Sequence, residues 1–355
     1  MPAQVVVVPG RLPEGRVDPL YGYVVVISAA RALRESKKDS ESTHPAILPE
    51  YDERCSFCPG NNKVTNEDKT PPELVSFRRD PFDITSWSTR GFTNLFPILA
   101  LEAEGPAQGV NEIIVETRRH NGFLSSISIE ELSEAFRAIT IRYFSLRNDP
   151  RLEWFSAFKN YGKLAGASME HPHFQMAVEA CIPPKFRERL NRAQDYFYDS
   201  RRYLCCDYIE KQRKLGQVIF ETEHFVVLVP YAARVPYHFR IFPIKHNPSF
   251  AHVLRDSDCV RTDFAETLRR ITFLFKIAVQ GKDFQQYADP LYNFYIETAP
   301  YRDDHKEGIL HWHVEFRGKT TIEAGYEYHT GKFVNPTYPE EIATQLREIA
   351  QKYQK

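Results

Sequence analysis

Glu170-His171-Pro172-His173-Phe174-Gln175 sets two histidines and a glutamine at alternate positions. Alternate side chains of an extended strand project from one face, so this spacing predicts a row of His171, His173 and Gln175, a pattern suited to chemistry rather than packing. Upstream lie Cys55-Ser56-Phe57-Cys58 and His120. Two thiols and two imidazoles, from Cys55, Cys58, His120 and His171, satisfy a tetrahedral zinc and leave His173 unspent. Four protein ligands leave no position open for a catalytic water. The zinc is therefore expected to be structural, fixing His171 and the strand that carries His173. An imidazole with one ring nitrogen bound to a carbonyl keeps the other free to attack phosphorus, which makes His173 the candidate nucleophile. Gln175, one strand step further, can donate its amide to a phosphate oxygen where charge gathers.

Just before that strand runs Phe158-Lys159-Asn160-Tyr161-Gly162-Lys163-Leu164-Ala165-Gly166-Ala167-Ser168. Its glycines, hydroxyl and two lysines read as a phosphate-cradling loop. Arg31 and Arg34, after an apolar strand Tyr23 to Ile27, are candidate phosphate clamps, with solvated surface as the alternative.

Working outward, the chain repeats itself. A strand Val110 to Glu116, the turn Arg119-His120-Asn121 and a helix Ile129 to Leu146, opened by a Ser128–Glu131 capping box, precede an aromatic strand Trp154 to Phe158 and the H-x-H motif. The later half offers a strand His238 to Ile244, the turn Lys245-His246-Asn247, and a helix Phe264 to about Val279 with capping-box spacing at Asp263 and Glu266. An aromatic strand Tyr292 to Ile296 and His311-Trp312-His313 follow. This is an α+β unit used twice, joined by a charged helix from Pro184 to Arg202. Arg34 to Thr43 reads as a loop, and Pro339 as the start of a last helix. The second copy has adjacent Cys205-Cys206 and carries Glu315 in place of Gln175, so one active and one decayed half are expected.

Composition narrows the function classes. A chain of 355 residues with 42% hydrophobic side chains can bury a large core, and 46 basic against 47 acidic residues, well mixed, give no broad field for nucleic acid or an anionic membrane. Any anionic substrate must be met locally. The start Met1-Pro2-Ala3-Gln4 has no basic n-region, and the apolar run Tyr21 to Ala30 is too short to span a bilayer, so a cytoplasmic protein is expected. Six cysteines with one CxxC suit metal binding in a reducing compartment better than a disulfide framework.

These residues together resemble the galactose-1-phosphate uridylyltransferase family, a branch of the histidine-triad superfamily. The likeness runs through Phe92-Thr93-Asn94, Phe158-x-Asn160-x-Gly162, Gly166-Ala167-Ser168, His171-Pro172-His173-x-Gln175, Glu221 to Phe225, Val229-Pro230-Tyr231 and Gly325-Tyr326-Glu327. It implies an α+β fold of duplicated histidine-triad-like units forming an antiparallel half-barrel with flanking helices. The catalytic half would be 1–183 and the degenerate half 184–355, in a homodimer. It also implies ping-pong transfer through a nucleotidyl-histidine: His173 takes the nucleotide from a sugar nucleotide, and sugar 1-phosphate or orthophosphate receives it. By position Asn94, Asn160, Gly166 and Ser168 would hold the nucleotide, with Arg31 and Arg34 near the phosphates and Tyr326 and Glu327 in the segment that meets the sugar phosphate. A second metal, iron or zinc, is implied near Glu188, Glu297, His311 and His313, although Arg189 stands where the family has a carboxylate.

Two departures bear on the acceptor. Phe333 stands where the uridylyltransferases carry a glutamine that grips the hexose phosphate, and Gly325 to Pro336 is more similar to the plant ADP-glucose phosphorylase branch. Phe174 also replaces a small residue between His173 and Gln175. A hexose-1-phosphate uridylyltransferase is the leading expectation, an ADP-glucose phosphorylase the second. From another class comes a non-catalytic zinc-stabilised nucleotide-binding protein, against which the intact His173 and Gln175 argue.

Overall fold

A computed structural model describes residues 12–33, 43–61, 71–83, 85–303 and 308–353. Strands β1 (Glu14–Val17) and β2 (Val24–Ile27) form a hairpin, to which a late strand, β13 (Phe333–Asn335), adds in parallel. The main sheet has ten strands. Its first half holds β3 (Glu73–Arg78), β4 (Trp87–Thr93), β5 (Gly109–Val115), β6 (Trp154–Tyr161) and β7 (His173–Glu179). The second holds β8 (Val218–Glu221), β9 (Phe225–Leu228), β10 (His238–Pro243), β11 (Tyr292–Glu297) and β12 (His313–Gly318). The spatial order is β3-β4-β5-β7-β6-β11-β12-β10-β9-β8, antiparallel throughout. Read from its own edge, the second half repeats the order of the first, and β6 and β11 meet in the middle.

Seven α-helices complete the described residues: α1 (Ile129–Leu146), α2 (Pro184–Ser200), α3 (Leu204–Lys214), α4 (Phe250–Asp256), α5 (Asp258–Gln280), α6 (Gly325–Thr330) and α7 (Pro339–Lys352). Helix α1 begins as the sequence predicts: the Ser128 hydroxyl accepts from Glu131 N–H and the Glu131 carboxylate from Ser128 N–H. Helix α5 starts six residues earlier than expected. Ser257 caps it at Val260 N–H, while Asp263 accepts instead from the His224 backbone and the Thr222 hydroxyl. The charged joining helix stops at Ser200, where Arg201 turns left-handed, and α3 follows as a separate, unexpected helix. Pro339 does open α7. No helix among the described residues is long and apolar enough to cross a membrane.

The period-2 alternation of the strands divides the sheet into two faces. One is the core, where Phe174, Met176, Phe294 and Phe316 pack with Phe136 of α1 and Phe264 of α5, all fully buried. The other face is crossed by the paired row Gln175, Phe158, Tyr295, Glu315 and Arg240. Because Phe174 and Phe294 meet across β7 and β11 at 5.7 Å, one core serves both halves. Phe294→Ala should therefore cost about 3–5 kcal/mol while chemical unfolding stays a single transition. Two separated transitions, followed by tryptophan fluorescence and circular dichroism, would show that the halves fold independently.

Candidate active site and metal centre

Cys55 and Cys58 come from the loop ahead of β3, His120 from the turn after β5, and His171 from the residues leading into β7. The structure brings all four together, buried, with their ligand atoms within 4.8 Å of one another. Cys55 Sγ and Cys58 Sγ lie 3.7 and 3.5 Å from His171 Nδ1, and Cys58 Sγ lies 3.6 Å from His120 Nδ1. A tetrahedral zinc, with bonds of about 2.3 Å to sulfur and about 2.0 Å to nitrogen, sets sulfur and nitrogen about 3.5 Å apart, so the four atoms fit such an ion. Burial pushes the Cys55 thiol up to about 11. A divalent cation would reverse that by favouring the thiolates. Two contacts beyond the ligands were not legible in the sequence. The His171 Nε2–H donates to the Thr117 carbonyl at 2.9 Å, which turns Nδ1 toward the cluster, and Glu170 lies 3.7 Å from His120 Nε2.

His173 is the first residue of β7. Its Nδ1–H donates to the His171 carbonyl at 2.8 Å, and its Nε2 has no hydrogen-bond partner among the described residues. Burial, against the opposing pull of that carbonyl, lowers its pKa to about 4, so the ring is neutral at pH 7. The edge of Phe57 packs at 5.4 Å and fixes its plane. Gln175 stands half-exposed on the same face.

The glycine loop differs from a simple cradle. Lys159 is fully buried on the core side, where its ammonium donates to Glu116 at 2.8 Å and lies 3.4 Å from the His173 carbonyl, rather than facing a phosphate. The amides of Ala165, Gly166 and Ala167 are spent inside the turn, on Gly162 and Lys163 carbonyls. Gly162 has a φ of 86°, and a Cβ there would strike Leu291 at 2.3 Å, so only glycine fits. Gly166 and Ser168 are exposed beside it. The Asn160 side-chain amide oxygen accepts from the Asn293 amide, which also donates to the Ala165 carbonyl and so ties the loop to β11. Asn94 is held by Asn111 and by Phe96 N–H.

Other expected residues lie apart. Arg31 is exposed in a short turn after β2, and Arg34 lies outside the described residues. Tyr326 and Glu327 sit on α6, where Glu327 accepts from Ala324 N–H. The second metal group does not assemble. Glu188 is exposed and pairs with Arg192, while the Arg189 guanidinium fills the interior, donating to Glu297 at 3.1 Å and to the His311 carbonyl, with His313 Nδ1 at 3.3 Å. A fixed cation occupies the place where a metal would need donors. His311 Nδ1 accepts from Asn247 N–H, which leaves that ring no free lone pair.

Comparison with known proteins accords with this geometry. Residues 10–183 match the family described as galactose-1-phosphate uridyl transferase, N-terminal domain. ADP-glucose phosphorylase of Arabidopsis thaliana is 30% identical over 95% of this chain and 93% of its own, and galactose-1-phosphate uridylyltransferase of Thermotoga maritima is 28% identical over 94% and 98%. The crystal structure of the Arabidopsis ADP-glucose phosphorylase with bound ADP-glucose superposes with a TM-score of 0.78 at 29% identity, covering 95% of this chain and 99% of that one. A uridylyltransferase structure superposes at 0.69 and 23% identity over 97% and 100%, which speaks for the fold. The protein is an enzyme of the nucleotidyltransferase class. It belongs to the galactose-1-phosphate uridylyltransferase family.

The thiol–imidazole cluster predicts close to one zinc per chain in purified protein, measured by atomic emission. Cys58→Ser should retain less than about a tenth of it and melt at a lower temperature. Unchanged metal content in that variant would remove the site from the account.

Proposed function

We propose that this enzyme moves a nucleoside monophosphate from a sugar nucleotide to a phosphate acceptor in two steps. His173 Nε2 attacks the α-phosphorus and sugar 1-phosphate leaves; the acceptor's phosphate oxygen then attacks the same phosphorus and frees His173. The observation that carries this reading is the neutral His173 ring, its Nδ1–H committed to the His171 carbonyl and its Nε2 open beside Gln175. Gln175 would donate to the oxygens of the transferred group. Asn160 lies two residues beyond Phe158, the strand partner of Gln175, and with Gly166 and Ser168 of the following loop would meet the nucleotide. A zinc held by Cys55, Cys58, His120 and His171 would anchor the strand. We read the mirrored strand order as a duplicated unit curved into a half-barrel, with 1–183 the catalytic half and 184–355 the degenerate half, and we expect a homodimer.

For the acceptor, orthophosphate is favoured, which reverses the order of preference drawn from sequence. Phe333 packs edge-on against Tyr23 at 5.4 Å and lies 4.5 Å from the Arg234 guanidinium, so it offers no donor to a sugar phosphate. The overall likeness to the Arabidopsis ADP-glucose phosphorylase points the same way. Transfer to a hexose 1-phosphate is the second reading, favoured by the near full-length match to the Thermotoga enzyme.

Intact-mass spectrometry after addition of a sugar nucleotide should detect a nucleoside-monophosphate adduct, absent in His173→Gly; an adduct in that variant would refute the assignment. Gln175→Ala should slow turnover by about 10- to 1,000-fold. Chased with equal concentrations of the two acceptors, the adduct should discharge faster into orthophosphate, releasing a nucleoside diphosphate. A large preference for galactose 1-phosphate would select the second reading.

A further inference from the structure

Five cations converge on the part of the non-core sheet face that the β1–β2 hairpin covers. The Tyr21 ring centroid has Arg240 at 5.1 Å, Arg189 at 5.5 Å, Arg234 at 5.8 Å and Lys185 at 6.0 Å, and Arg317 of β12 bonds the neighbouring Tyr295 hydroxyl. Three carboxylates face them among the described residues. Arg240 takes Asp18 and Glu315, and Arg189 takes Glu297; Arg317 reaches Glu315 only at 4.0 Å. The histidines here, His238 and His313, are kept neutral chiefly by burial, and the Tyr21, Tyr23 and Tyr295 hydroxyls stay protonated for the same reason. Five cations against three carboxylates leave two positive charges over.

The surplus is concentrated in Arg234. The residue is 3% exposed, its guanidinium makes no hydrogen bond or ion pair among the described residues, and it lies 3.8 Å from the Tyr23 ring and 4.5 Å from the Phe333 ring. Aromatic faces satisfy part of a guanidinium but accept none of its five N–H donors in the plane. Lys185 stands exposed at the rim. The protein packed around its ammonium, and after that the like charges of Arg234 and Arg317, nevertheless hold its pKa down to about 8. A buried cation without a counter-charge is costly unless something supplies one.

We propose that Arg234, Arg317 and Lys185 form a binding site for a phosphate-type dianion, either orthophosphate or the phosphomonoester of a sugar phosphate. Two surplus charges match a phosphate near neutral pH, and planar guanidinium forks match its oxygens. The site is separate from the candidate nucleophile. In the paired row, Tyr295 stands two strands from Gln175, about 10 Å at ~4.8 Å per strand. The inference goes beyond the proposed activity and does not depend on it, because the anion is detected without nucleotide.

Inorganic phosphate titrated into the full-length protein, against potassium chloride at equal ionic strength, should bind saturably by calorimetry and raise the melting temperature. Arg234→Met should weaken that binding at least tenfold and, with no phosphate present, melt no lower than the wild type, since it removes an uncompensated charge. His173→Gly should keep the phosphate affinity, which separates this site from the catalytic strand. Glucose 1-phosphate binding at least tenfold tighter than orthophosphate would assign the site to a phosphomonoester; equal or weaker binding would assign it to the free ion. Lys185→Ala, at the exposed rim, gives a second reading if Arg234→Met does not fold. Absence of saturable binding, or binding lost with His173→Gly but kept by both cation variants, would overturn the proposal. Nucleotidyl adduct formation, measured separately, would be untouched by that failure.

Discussion

The hydrogen bond from His173 Nδ1–H to the His171 carbonyl joins the thiol–imidazole cluster to the proposed nucleophile, and the rest of the proposed site depends on it. His171 is fixed at both ring nitrogens, by the thiol cluster at Nδ1 and the Thr117 carbonyl at Nε2. With that ring immobile, its carbonyl is a fixed acceptor, and the His173 ring can satisfy it in one tautomer only. Behind the same peptide the buried Lys159–Glu116 pair sets its ammonium against the His173 carbonyl. Removing one partner of such a pair strands a charge in the core, at a cost of about 3–5 kcal/mol. The proposed nucleophile is thus held from the side of the thiol–imidazole cluster and from the core side.

The second half shows what the same strand order yields without those constraints. His311 donates through Nε2 to the Pro243 carbonyl and accepts at Nδ1 from Asn247 N–H, so backbone stands where the first half has the thiol cluster. His313, the positional counterpart of His173, has its Nε2 2.8 Å from the Tyr21 hydroxyl. Glu315, in the place of Gln175, pairs with Arg240 and His238. Burial alone would raise its pKa, but these partners outweigh it and hold the carboxyl well below its ordinary value. The β1–β2 hairpin, through Asp18 and Tyr21, covers the face that the first half leaves open.

Local patterns carried much of this in the sequence. The His173–Gln175 alternation, the Ser128 capping box and Pro339 are near-neighbour signals that correspond to β7, α1 and α7, and the CxxC spacing corresponds to a loop in the Cys/His cluster, while His171 stands just ahead of the strand. What stayed hidden depends on contacts distant along the chain. Lys159 sits in a loop-like, lysine-bearing stretch, yet strand alternation turns it into the core, where Glu116 waits 43 residues upstream. The start of α5 was misplaced because Asp263 has capping-box spacing but is taken by β9's approach through His224. Arg189 lies among potential metal ligands in the sequence, but only the fold sets its guanidinium between Glu297 and His313.

The central claim is that the strand presents His173 as a neutral ring with Nδ1 protonated and Nε2 bare. Long-range proton–nitrogen correlation spectra of protein labelled with nitrogen-15 at histidine test it directly, with His173→Gly assigning the signal. Near pH 7 the account predicts a proton on Nδ1 and an unprotonated Nε2 for His173. A ring protonated at Nε2, or at both nitrogens, would contradict it.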